Sequence, residues 1–266
     1  MPGQARHDKP KYLRYGLRML TFTDEALILT VDKFGDHDAI VHLFTPLHGL
    51  CRGVVKRGLT NKNRADIQPA TLVEATWKAR MPEHLGTITL EAKHSYAARV
   101  MHDPLKLSAV GSVMGMVGSS LAEHDAHPEL YAQMVNFLQH VAAGVEPLIW
   151  LAEYVRLELS LLELAGFGLD LTRCAATGET DDLAYVSPKS GRAVGRASGA
   201  PYHDRMLMLP EFVKDMAQLP ETYADVRDGV TLTGHFLESR MLPALHRKPP
   251  ALRTHFVGLL ARTTAA

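Results

Sequence analysis

Between Ala26 and Trp77 the chain alternates short aliphatic runs with turn residues. Ala26–Phe34 is rich in Leu, Ile and Val and stops at Gly35-Asp36; Ala39–Thr45 stops at Pro46 and His48-Gly49; Leu50–Arg57 runs into Gly58-Leu59-Thr60-Asn61. Runs of this length and composition, broken at hairpin intervals, predict strands. About six such segments lie between Thr23 and Ala98 with no long helical period among them, which predicts a small closed barrel, because closure removes exposed sheet edges.

After Tyr96 the period changes. From Pro104, the apolar positions Leu107, Val110, Val113, Met114, Val117 and Leu121 recur at helical spacing, and Gly111, Gly115 and Gly118 form a face suited to close packing. A second helix is predicted from Pro128 to Val141, stopped by Gly144. Pro147 to Ala165 carries the broadest apolar stripe, which belongs at the centre of a bundle, and Gly166-Phe167-Gly168 ends it. Asp170 to His203 is turn-rich and reads as an irregular insertion. Residues 210–216, 223–241 and 249–262 read as closing helices. The fold class is therefore α+β and multi-domain: a small barrel, then an all-α part.

Overall charge hides an asymmetry. Lys plus Arg and Asp plus Glu both number 29, yet residues 1–100 hold 15 basic and 10 acidic residues, and residues 101–266 hold 14 and 19. A net of +5 against −5 points to an amino-terminal surface able to meet phosphate, while chance segregation of solvated charges is the plain alternative. Residues 1–22 are basic with little to bury, and are expected to be a disordered extension. Apolar residues at 46% supply a core, and no uncharged run reaches the ~20 residues of a membrane span. Two cysteines, Cys51 and Cys174, fit a reducing cytosol, so a cytoplasmic protein is expected.

The basic residues concentrate at one turn. Arg52, Lys56, Arg57, Lys62 and Arg64 occur in thirteen residues without an acid, on or beside a hairpin from which side chains project to solvent. Such a row can meet successive phosphates of a strand, each contact releasing counterions; a solvated turn is the plain alternative. Lys33, Lys78 and Arg80 extend the candidate patch. Phe34, Phe44 and Trp77 are the aromatic residues available for base stacking, and each is expected in the core, so binding should be mostly electrostatic.

The order of these pieces resembles the RecO family of recombination mediators. The likeness rests on Phe34-Gly35-Asp36-His37-Asp38, Leu43-Phe44-Thr45, His48-Gly49-Leu50 and Val55-Lys56-Arg57-Gly58, then Gln68–Glu74 and Leu85–Ala92, and later Leu161–Phe167, Arg173-Cys174 and Tyr185-Val186-Ser187-Pro188. It implies an oligonucleotide-binding (OB-fold) barrel over residues 23–98 and a helical domain over 99–266 bearing the insertion at about 170–203. It further implies binding of single- and double-stranded DNA, annealing of complementary strands, and loading of the recombinase onto DNA coated with single-strand-binding protein, in partnership with RecR, near the nucleoid. For the acidic tail of the single-strand-binding protein, Arg156 on the central helix is the candidate contact.

Some members of that family carry a four-cysteine metal site in a zinc-finger-like insertion. Here Cys174 keeps the first position while Thr177, Gly195 and Ser198 stand at the others, so no metal is expected and Cys174 reads as a small buried residue. His124-Asp125-Ala126-His127 reads as an exposed turn, and the basic residues after Glu238 as helix-end cations. No phosphate-binding loop, dinucleotide fingerprint, zinc-protease or nucleophile-elbow motif is present, so neither catalysis nor a cofactor is expected. The alternatives are a metal-dependent DNA-processing enzyme, or a scaffold that does not touch DNA.

Overall fold

The computed structural model describes residues 20–61, 63–81 and 84–263. The expected extension at 1–22 lies almost wholly outside them, as does Lys62. Five strands form the amino-terminal part: β1 (Leu20–Phe34), β2 (Asp38–Thr45), β3 (Gly49–Val55), β4 (Thr71–Ala79) and β5 (Gly86–Ser95). They close in the order β1-β2-β3-β5-β4, which fits an OB-fold.

Closure depends on β1. Its first half pairs with β4 from Leu20 to Leu27 and its second half with β2 from Leu27 to Phe34, with a register shift between Ile28 and Thr30 where the strand changes partners. A shift of this kind bends and twists a strand, as a small barrel requires. The strand therefore begins well before the aliphatic run at Ala26, because its early residues are specified by pairing with β4 rather than by apolar content. Closure is completed by a short parallel contact between β3 and β5, Gly53 opposite Gly86 and Val54 opposite Thr87. A side chain at Gly86 would overlap the indole of Trp77, whose Nε1 donates to the Arg52 carbonyl at 2.9 Å inside the barrel.

Helices follow: α1 (Ala97–Val100), α2 (Pro104–Ser120), α3 (Pro128–Ala143) and α4 (Pro147–Leu164). Proline opens each of the last three, where its missing N–H costs nothing. Gly144, at φ +71°, and Gly166, at φ +80°, take the left-handed conformation that ends α3 and α4. The segment expected to be irregular is instead partly ordered as a three-stranded sheet, β7-β6-β8, from β6 (Leu183–Val186), β7 (Ala193–Gly195) and β8 (Leu207–Met208), with α5 (Arg196–Gly199) between β7 and β8. Short pairings of two or three residues are too brief to register as periodic runs. Helices α6 (Glu211–Lys214), α7 (Tyr223–Phe236), α8 (Leu242–Ala244) and α9 (Ala251–Leu260) complete the chain, with a π-helical turn at Leu237–Met241 after α7.

Two cores result. Inside the barrel lie Ile28, Val41, Leu43, Cys51, Val73, Trp77 and Ile88. The larger core joins the helices to the outer side of the barrel, where Leu27, Leu29, Phe44 and Leu50 pack with residues such as Val117, Tyr131 and Met134. Barrel and helices thus share the larger core. As the spacing of Gly111 and Gly115 suggests, those residues let α9 approach α2, facing Leu252 and Pro250.

At the centre of the helical core sits a buried ion pair. Arg253 of α9 grips Glu158 of α4 bidentately, Nε to Oε1 at 2.7 Å and Nη2 to Oε2 at 3.2 Å, and its Nη1 reaches Glu238 Oε1 at 2.7 Å. The side chains of Arg253 and Glu158 are 3% and 2% exposed. Tyr154 donates to Glu158 at 2.9 Å and Thr233 of α7 donates to its other oxygen, while Ser112 of α2 bonds the Tyr154 hydroxyl at 2.7 Å. Burial lowers the Arg253 pKa, but the facing Glu158 carboxylate more than offsets it and the net shift is upward. Arg253, expected to be a helix-end cation, is a core residue.

Candidate nucleic-acid interface

The basic patch gathers around the end of β3, and the strand register explains how. Lys33 lies opposite Ala39, which lies opposite Val55; Lys78 lies opposite Thr87, which lies opposite Val54. Residues far apart in sequence thus flank adjacent positions of β3, at one level of the barrel; Val54 and Val55 project to opposite sides of the sheet, so Lys33 and Lys78 share that level but not one face. Arg57 and Arg64 belong to the following loop, and Arg80 to the loop after β4, next to where β5 begins against Gly53. All of these side chains are exposed.

Exposure does not mean that every charge is available. Lys56 Nζ sits 2.8 Å from Asp38 Oδ2, and Arg52 Nε sits 2.9 Å from Glu123 Oε1. Asp38 also accepts the Arg57 N–H at 2.7 Å, holding Arg57 in a left-handed conformation at φ +56°. That N–H and the Lys56 ammonium hold the Asp38 carboxyl below the usual carboxylate range. Lys33, Arg57, Arg64, Lys78 and Arg80 form no ion pair among the described residues. The candidate row therefore divides into five uncommitted cations and two that already have acids.

Asp38→Asn separates these groups, because the amide retains an oxygen for the Arg57 N–H and removes the charge facing Lys56. The variant is expected to elute from a heparin column at higher salt than the parent. Elution at unchanged salt would mean that Lys56 does not take part in anion binding.

The loop is anchored to the barrel rather than trailing from it. Leu59 N–H donates to the His37 carbonyl at 2.9 Å, tying the loop to the β1–β2 turn, and Ile67 is buried in the barrel core. Between the loop and β5 lies a hollow of about 230 Å³ lined by Lys56, Asn63, Asp66, Ile67, Thr89 and Leu90, among others. Of the three aromatic residues expected in the core, Phe44 and Trp77 are buried, whereas Phe34 is 43% exposed. Phe34 is the last residue of β1 and follows the charged pair Asp32-Lys33, by which point the strand has left the core.

Arg156 is placed differently. Its Nη2 donates to the carbonyls of Gln218 at 2.6 Å and Phe212 at 3.4 Å, and burial lowers its pKa. The adjoining hollow is lined by Glu211, Asp215, Glu221 and Asp225. This guanidinium braces the turn after α6, in acidic surroundings. The His124 turn, expected to be exposed, is largely so but docks on the barrel: His124 N–H donates to the Leu50 carbonyl at 2.9 Å, its ring meets the Trp77 indole edge-on at 5.4 Å, and Gly49 has no room for a side chain against Asp125. Glu123, the partner of Arg52, comes from this same turn.

Beside the small sheet, Cys174 is buried and its Sγ accepts the Gly195 N–H at 3.2 Å. That bond holds the thiol down at about 6. Gly195 itself has no side-chain donor and Thr177 Oγ1 donates to Glu179 at 3.0 Å, so the residues present do not supply a tetrahedral metal-binding set. Among the described residues no group of three or more His, Cys, Asp or Glu is placed to hold a metal ion. No helix among them is long and apolar enough to cross a membrane. In the carboxy-terminal part, Arg240 donates to the carbonyls of Pro188 and Lys189 and lies over the Phe236 ring at 5.0 Å. It links the insertion to α7.

Comparison with known proteins agrees with the architecture. Residues 19–96 match the family described as Recombination protein O N terminal, and residues 101–249 match Recombination protein O C terminal. The protein named DNA repair protein RecO from Rhodospirillum rubrum is 40% identical over 250 residues, covering 93% of this chain and 99% of that one. Its namesake from Dinoroseobacter shibae is 41% identical over 92% of this chain and 99% of its own length, and that from Methylocella silvestris is 45% identical over 82% and 87%. By full-length similarity to these DNA repair proteins and by the match of its two parts, the chain belongs to the RecO family.

Proposed function

We propose that this chain binds single-stranded DNA along the barrel edge around the end of β3, anneals complementary strands, and helps load the recombinase onto DNA coated with single-strand-binding protein, acting with RecR. The observation that carries the reading is that Lys33, Arg57, Arg64, Lys78 and Arg80, from three separate stretches, lie around the end of β3, none with an acid partner among the described residues. A surface of this kind screens the repulsion between two phosphate backbones, which is the physical obstacle to annealing, and it needs neither nucleotide nor metal. Double-stranded DNA is a second ligand through the same phosphates. The helices, with their acidic balance, serve as the partner-facing part.

The test is annealing of two complementary labelled strands, followed by energy transfer, with excess chelator and across a salt series. Chelator-insensitive annealing that weakens as salt rises supports the reading. Strand cleavage that requires a divalent metal would instead favour a DNA-processing enzyme, and salt-independent behaviour without DNA affinity a protein scaffold.

A further inference from the structure

We propose that Phe34 is a stacking platform for an unpaired nucleobase, which makes the β1–β2 turn the part of the interface that distinguishes single strands from duplex. This rests on the nucleic-acid reading above and specifies the form of the ligand. Phe34 is the one exposed residue among the eight phenylalanines of the chain, and it belongs to neither core. No ring contact to it occurs among the described residues. A single exposed apolar side chain is common on a protein surface, so the groups around this ring decide what it can do.

The surroundings indicate what covers it. Phe34 lies opposite Asp38, and residues opposite each other in an antiparallel pair project on the same side. Asp38 takes Lys56 on that side, so the ring shares a face with the loop of basic residues, and the Leu59–His37 hydrogen bond keeps loop and turn together. The turn itself bears Asp32, Asp36 and Asp38, with Asp32 3.8 Å from His42 and Asp38 committed to Lys56 and Arg57. Phosphate is disfavoured beside those acids and favoured at Arg57 and Arg64 next to them. The turn thus offers a ring and the neighbouring loop offers charge, matching the base and the phosphate of one strand. In a duplex the base faces are already stacked on one another, so the ring has nothing to cover it there.

The experiment compares wild type, Phe34→Ala and Phe34→Trp by anisotropy on three labelled probes: an unstructured thymine strand, the same backbone with abasic sites, and a duplex. Phe34→Ala should weaken thymine-strand binding about tenfold, one base–aromatic stack being typically worth roughly 5- to 150-fold, and leave the abasic and duplex affinities unchanged. Phe34→Trp should retain affinity and show quenched indole emission with the thymine strand but not with the abasic one. Salt-dependent binding that Phe34→Ala leaves intact, or a tryptophan insensitive to the thymine strand, overturns the stacking assignment alone. If the wild type binds none of the probes at low salt, the nucleic-acid reading fails and this assignment fails with it.

Discussion

Replacing Arg253 by Met is expected to destabilise the fold by about 3–5 kcal/mol, the usual loss when one member of a buried ion pair is removed. The loss comes less from the bond itself than from what stays behind: Glu158, 2% exposed, would keep the Tyr154 and Thr233 hydroxyls but no cation. The charged carboxylate would then sit uncompensated in the interior, or take up a proton at similar cost. Because Ser112, Tyr154, Thr233 and Glu238 tie α2, α4, α7 and the π turn to this pair, the loss falls on the whole helical core. A fall in Tm on the order of 10 °C should be seen by calorimetry. Combining Arg253→Met with Glu158→Met should recover most of the loss, since well-packed apolar replacements of a buried pair are often near neutral. A single variant within about 1 kcal/mol of wild type would show that the pair is solvated or dispensable.

The second large effect concerns DNA. Alanine at Lys33, Arg57, Arg64, Lys78 and Arg80 together should weaken single-strand binding by on the order of 100-fold at low salt, and flatten the slope of log affinity against log salt by up to about 3.5, at roughly 0.7 per phosphate contact. Arg52→Ala/Lys56→Ala is the informative control. Those cations lie 2.9 Å and 2.8 Å from Glu123 and Asp38, so removing them leaves a local field already largely balanced, and their per-charge effect should be smaller. Anisotropy titrations at four or more salt concentrations would measure both slopes. Equal slopes per charge in the two sets would mean that DNA displaces the acids freely; an unaltered quintuple variant would place the DNA site elsewhere.

These contrasts show how far the interface could be read in advance. The density of Lys and Arg between Arg52 and Arg64 marks the region, because a run without acids is visible in one dimension. That Lys56 belongs to Asp38 depends on β2 and β3 lying side by side, and that Arg52 belongs to Glu123 depends on a turn 71 residues later docking on β3. Arg253 carries the same lesson: near the end of a chain it looks like a helix-terminal cation, and only the approach of α9 to α4 makes it a core residue. Phe34 is the converse case, an apolar residue at a strand end that lies in water because β1 outlasts the core it serves.

By itself the sequence determined the order of the barrel strands and the long helices, through turn residues at hairpin spacing in the first part and a 3.6-residue apolar period in the second. Prolines and glycines set helix ends at Pro104, Pro128, Gly144, Pro147 and Gly166, because their backbone limits act locally whatever lies nearby. The tertiary structure alone decided that β1 serves two partners, that barrel and helices share a core, that the insertion holds a small sheet, and which cations have an acid partner among the described residues. Each of these depends on residues brought together from distant segments. Pairing, burial and charge neutralisation act over distances in space, and no local pattern encodes which distant residue will be the neighbour.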